Sequence, residues 1–128
     1  MFAGEYHRQM DEEREMYIPL GLRKGISQKV VIAKGPEGCI YICALRNWRK
    51  AIKEFESSPQ IRKVQIGENG KIRISKGFKE YAELEREVVF VGCGDHIEIW
   101  NPKKWLEEKK EIGEIRTQED ILSGIKIA

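Results

Sequence analysis

Apolar and polar residues alternate in short runs along this chain, and the runs fall into two similar sets. In "EMYI" Met16 and Ile18 share one face of an extended segment while Glu15 and Tyr17 share the other; in "KIRI" Ile72 and Ile74 face one way, Lys71 and Arg73 the other. A short helical turn is predicted next in each set, over "LGLRKG" and "KGFKEYAEL". Two hairpins follow, from β-branched runs around glycine-rich turns. The first is "KVVIAK", "GPEG", "CIYIC"; the second is "EVVFV", "GCGD", "HIEIW". A helix closes each set. Asn47 caps the first, with Trp48, Ile52 and Phe55 at helical spacing; Asn101 and Pro102 supply cap and first-turn chemistry for the second, "KKWLEEKKE".

The two sets form an internal repeat. Met16 matches Ile72, Ile18 matches Ile74, Gly21 matches Gly77, Leu22 matches Phe78 and Arg23 matches Lys79. Further on, Val31 is set against Val88, Ile32 against Val89, Ile40 against Ile97, Ile42 against Ile99 and Trp48 against Trp105, with one residue inserted between the blocks. A unit this small buries its own sheet faces poorly. The expectation is therefore an α+β fold of two pseudo-symmetric β-hairpin/helix units sharing one small core, with interleaved hairpins. The units are residues 1–56 and 61–111, joined by the polar stretch 57–60; the tail 112–128 carries a capping box at Thr117 and Asp120 for a short helix.

Length and charge narrow the function only slightly. The chain has 128 residues and 41% hydrophobic content, enough for one core. Its 23 basic and 21 acidic residues leave a net charge of +2, so a nucleic-acid footprint has to come from local clustering. One cluster is basic, Lys71, Arg73, Lys76 and Lys79 in "GKIRISKGFK"; its counterpart "DEEREMYIP" is acidic, with Arg14 inside it and Arg8 just before it. Arg46, Arg49, Lys50 and Lys53 read as the wet face of an amphipathic helix. Trp48, Trp100 and Trp105 read as core or interface anchors, with Trp100 outward beside Glu98. No apolar run reaches the roughly 20 residues that span a bilayer, and the N-terminus has no signal-type apolar stretch, so the expected location is cytoplasmic.

Catalytic and metal chemistry is not expected. Cys39, Cys43 and Cys93 are odd in number and lack zinc-type paired spacing. "GCGDHIE" holds Cys93, Asp95 and His96 within one turn, whereas nucleophile and base generally come from separate elements. The matching turn "GPEGC" keeps none of that chemistry, and no phosphate loop or dinucleotide fingerprint is present. Neither cofactor, metal nor small-molecule substrate is predicted.

The opening "MFAGEYHRQMD", the segment "YIPLGLR" and above all "VVFVGCGDHIEIWNPKKWLEE" resemble the MraZ family over roughly Met1 to Glu111. The resemblance implies two tandem AbrB-like swapped-hairpin units in a bacterial transcriptional regulator of the division and cell-wall gene cluster. It implies sequence-specific binding of double-stranded DNA at promoter direct repeats, assembly into ring-like homo-oligomers, and a nucleoid-associated location. The family's DNA motif is an Asp, three residues, then an Arg. Here the first copy runs from Asp11 to Glu15, with Arg14 in place of a glycine; the second runs from Gly67 to Lys71. The candidate DNA-binding residues are Lys71, Arg73, Arg14, Lys76 and Arg8. The alternative is an oligomeric protein-interaction module of the same fold without DNA recognition, which the acidic first copy favours.

Overall fold

A computed structural model describes residues 2–45 and 60–110 of the chain. These form an α+β structure whose strands are β1 (Glu5–Gln9), β2 (Glu15–Tyr17), β3 (Lys29–Lys34), β4 (Ile40–Ala44), β5 (Ile61–Gln65), β6 (Lys71–Arg73), β7 (Glu87–Gly92) and β8 (His96–Trp100). The helices are α1 (Leu20–Arg23), α2 (Lys76–Tyr81) and α3, over residues 102–110. The first expected closing helix, with Asn47 and Trp48, lies outside the described residues, as do the joint except Gln60 and the tail 112–128.

Six strands form one antiparallel sheet in the order β1-β7-β8-β4-β3-β5, while β2 and β6 pair apart from it as a two-stranded ribbon. Each half of the chain thus gives its first strand to the hairpin of the other half: β1 lies along β7 and β5 along β3. The halves meet at β4 and β8, where Ile40 faces Ile99 and Ile42 faces Ile97. The hydrophobic pattern did not announce β1 or β5. Their sequences, EYHRQ and IRKVQ, are mostly exposed and send only Tyr6 and Val64 against the core. Such polarity is what an edge strand needs to discourage pairing with another chain.

Register corrects two expected matches, those of Val31 with Val88 and of Ile32 with Val89. Val88 faces Arg8, and Val30 faces Val64, the residue at the corresponding place in β5. Val30, not Val31, is therefore the counterpart of Val88. The extra length sits in the helical turn, which has four residues in α1 and six in α2. Both faces of β3 and β7 are buried over four successive residues, so apolar character alone could not distinguish the registers.

The main core lies between one face of the large sheet and the ribbon with its helices. Ile32, Ile42, Phe90 and Ile99 meet Met16 and Ile72 from the ribbon, and Leu22 and Phe78 from α1 and α2. The other sheet face carries Cys39, Val89, Val91 and Trp100, with Trp105 of α3 packed against them. Trp100 is therefore not an outward residue as its place in the alternation suggested. It is 2% exposed, its ring lies 5.4 Å from that of Trp105, and its Nε1 donates to Glu98 at 2.8 Å. Two-sided burial overrides the alternation rule.

The expected cap on α3 is present. Asn101 Oδ1 accepts from the backbone N–H of Lys103 at 2.9 Å and of Lys104 at 3.4 Å, and its Nδ2 donates to the Glu83 carbonyl at 2.7 Å. Asn101→Ala is expected to cost about 1–2 kcal/mol, from the lost cap and the lost carbonyl partner together. Urea unfolding with an unchanged slope would measure it; Asn101→Asp, which keeps the cap oxygen, is expected to recover about half. Among the described residues no helix is long and apolar enough to cross a membrane.

Candidate nucleic-acid interface

The ribbon is short, and its alternation is strict. Met16 and Ile72 face each other and point into the core; Glu15 lies opposite Arg73, and Tyr17 opposite Lys71, on the outward face. Each ribbon strand is entered through a tight loop. Asp11 N–H bonds the Glu15 carbonyl at 2.9 Å, and Gly67 N–H bonds the Lys71 carbonyl at 2.8 Å, so the two loops have the same frame. In the first, Asp11 Oδ1 also accepts from the N–H groups of Glu13 and Glu15, each at 2.9 Å. Asp11 is thereby a turn cap, a local role that Gly67 cannot fill.

The last residue of each loop adopts the left-handed conformation, with φ 62° at Arg14 and 76° at Gly70. For a residue with a side chain this costs roughly 1–2 kcal/mol. Arg14 has an offsetting contact, since its Nε donates to the Ile74 carbonyl at 3.0 Å. Beside the second loop Arg23 Nε donates to the matching Ile18 carbonyl at 2.7 Å. The Arg23 guanidinium lies where a Cβ on Gly70 would be, so Gly70 leaves room for it. Two arginines from different sequence positions thus cap equivalent carbonyls, which explains how the first loop tolerates an arginine where the second has glycine.

Charges on the outward face are partly self-compensated. Lys71 Nζ lies 3.5 Å from Glu15 Oε1 and 5.9 Å from the Tyr17 ring centroid, and the Glu15 charge is the main influence raising the Lys71 pKa. An exposed pair of this kind contributes little to stability, so a phosphate could displace it at small cost. Arg73 is exposed and makes no ion pair among the described residues. Lys76, also exposed, opens α2 directly after Ser75, whose Oγ accepts from the Phe78 N–H at 3.3 Å.

The candidate cations are therefore not equivalent. Lys71 and Arg73 stand together on the ribbon, with Lys76 shortly after them. Arg14 is half-buried and turned onto backbone. Arg8 belongs to the large sheet, where its Nη1 donates to the His7 carbonyl at 2.7 Å and its guanidinium lies 5.7 Å from the Tyr6 ring. Tyr17, 49% exposed and opposite Lys71, was not singled out from the sequence. The alternation had put it outward, which was the available signal. Two grooves flank the ribbon at matching places in the two halves. One, about 690 Å³, is bordered by Gln9, Asp11, Glu12 and Lys79; the other, about 530 Å³, by Gln65, Gly67, Glu68 and Arg23.

The geometry defines a tandem-repeat α+β protein that presents a mixed-charge ribbon. A family model described as "MraZ protein, putative antitoxin-like" matches the chain twice, over residues 1–66 and 61–121. "Transcriptional regulator MraZ" of Clostridium beijerinckii is 32% identical over 122 residues, covering 84% of this chain and 86% of its own. The protein of the same name from Dictyoglomus thermophilum is 31% identical over 140 residues, covering 98% and 96%. That from Moorella thermoacetica is 29% identical over 126 residues, covering 87% and 88%. The chain belongs to the MraZ family.

Proposed function

We propose that this protein is a sequence-specific DNA-binding transcriptional regulator, not an enzyme, and that it grips the duplex with the ribbon of β2 and β6. The observation that carries the reading is the trio of Lys71, Arg73 and Tyr17 on the outward face of a ribbon that pairs apart from the large sheet. The names of its relatives support it. Lys71 and Arg73 neutralise phosphates, and Tyr17 adds a hydroxyl beside them. Lys76 extends the positive track into α2, while Arg14 and Arg8 play lesser parts. The repeat consists of two AbrB-like swapped-hairpin units, residues 1–56 and 61–111, with strand exchange between them as the supporting observation. Copies of the chain assemble into a ring-like homo-oligomer on promoter direct repeats, at the nucleoid in the cytoplasm. No cofactor or small-molecule substrate is needed. Few cations per copy make such multivalency useful, because linked weak contacts raise avidity steeply.

A second reading is an interaction module without DNA recognition, favoured by the Glu15 carboxylate beside Lys71. Selection of bound sequences from random duplexes separates the two. A recovered repeated motif, bound with an affinity that falls as salt rises, is the expected outcome. Absence of salt-dependent binding to any duplex at low ionic strength gives the function to the second reading.

A further inference from the structure

The second face of the large sheet has polar side chains on its edge strand β1, where Glu5 and His7 lie opposite Val91 and Val89, and again among the apolar residues of its middle strands. There β8 alternates so that His96 and Glu98 point to the same side, and the turn from β7 carries Cys93 back toward them. Cys93 N–H bonds the His96 carbonyl at 2.9 Å and closes that turn. One donor atom from each of Cys93, His96 and Glu98 lies within 4.8 Å of the other two. This cluster plays no part in the DNA reading, and the first hairpin has no equivalent of it.

We propose that Cys93, His96 and Glu98 bind a zinc-class divalent transition metal at the β7–β8 turn end of this face. A tetrahedral zinc ion holds sulfur at about 2.3 Å and nitrogen or oxygen at about 2.0–2.1 Å, which sets its ligand atoms roughly 3.5 Å apart. His96 Nε2 and Glu98 Oε2 are now 2.7 Å apart, and small rotations open that gap to receive an ion. The outer partners are already in place. His96 Nδ1 meets Asp95 Oδ1 at 2.8 Å, and Glu98 Oε1 accepts from Trp100 Nε1 at 2.8 Å. A carboxylate behind a ligating imidazole and a donor behind a ligating carboxylate are the arrangement that orients metal ligands.

Charge and burial point the same way. His96 is 21% and Glu98 13% exposed, which shields an ion while leaving an entry path. Binding releases the thiol proton to water as the sulfur–metal bond forms. Thiolate, imidazole and carboxylate together suit zinc or cobalt, not magnesium or calcium. Three protein ligands leave the fourth position to water.

Titration of the full chain with cobalt(II) alone tests this. The expected result is one cobalt per chain, with a thiolate-to-cobalt charge-transfer band that zinc(II) abolishes by displacement. Cys93→Ser is expected to lose the band, His96→Ala to weaken uptake at least tenfold, and Asp95→Asn to weaken it about tenfold through the imidazole. Cys43→Ser keeps the band. Circular dichroism establishes that each variant is folded, and zinc is expected to raise the wild-type Tm but not that of His96→Ala; should Cys93→Ser not fold, that pair decides. No band with cobalt in excess, an undiminished band in folded Cys93→Ser, or an equal zinc effect on wild type and His96→Ala overturns the site.

Discussion

The double variant Lys71→Ala, Arg73→Ala is expected to bind duplex DNA with a salt slope shallower by about two units, and to lose affinity by the same proportion for every sequence it retains. Each phosphate-contacting cation contributes about one unit of that slope. Register puts both side chains on the outward face of the ribbon, so they meet one stretch of backbone together. Glu15 sharpens the test. It lies opposite Arg73 and 3.5 Å from Lys71, and a carboxylate there opposes an approaching phosphate. Glu15→Gln is therefore expected to shift binding the other way, with tighter association at low salt. The loops are unaffected by that change, because Glu15 contributes to them through its backbone, not its carboxylate. Fluorescence anisotropy across a salt series reads both variants. A double variant with unchanged slope and affinity removes the ribbon from the interface and leaves Lys76 or Arg8 to be examined.

The ribbon was legible in the sequence because each strand buries one face only. Met16 and Ile72 alternate with charged or aromatic neighbours, and a two-residue period identifies both the core and the outward set. Both hairpins were legible for a different reason, β-branched runs around glycine turns. Where both faces are buried, the pattern loses its information. That is why the repeat slipped by one residue at Val30 and Val88, and why Trp100 was placed outward when Trp105 covers it. The exchange of β1 and β5 between halves was hidden by their polar composition. The roles of Arg14 and Arg23 were hidden differently. Both bond backbone carbonyls, which no side-chain pattern marks, and Ile74 is 60 residues from Arg14 in the chain. The acidic first loop is best understood through that detail. Asp11 and Arg14 shape the loop, and Glu15 tempers the ribbon, so the difference between the two copies is structural as much as electrostatic.

Phe78→Ala is expected to cost about 3–5 kcal/mol of folding stability, the range for removing a buried aromatic ring. Phe78 is 1% exposed, sits on the buried side of α2, and belongs to the same cluster as Met16 and Ile72 beneath the ribbon. Its counterpart Leu22 on α1 is smaller, so the second half has the larger volume to lose. Against a total of about 5–15 kcal/mol for a domain, this is a large share, and Tm is expected to fall by on the order of 15 °C. Lys76→Ala, on the exposed side two residues earlier, is expected to stay within about 0.5 kcal/mol of the wild type. The pair separates folding from binding. Phe78 supplies no charge, so the folded fraction of Phe78→Ala keeps the wild-type salt slope on DNA at low temperature. Lys76→Ala keeps the stability and loses about one unit of slope if the positive track continues into α2. Thermal unfolding and anisotropy on the same preparations measure both. A Phe78→Ala loss below about 1 kcal/mol would mean that ribbon and sheet do not share a continuous core, since neighbouring side chains cannot close a cavity of that size without cost.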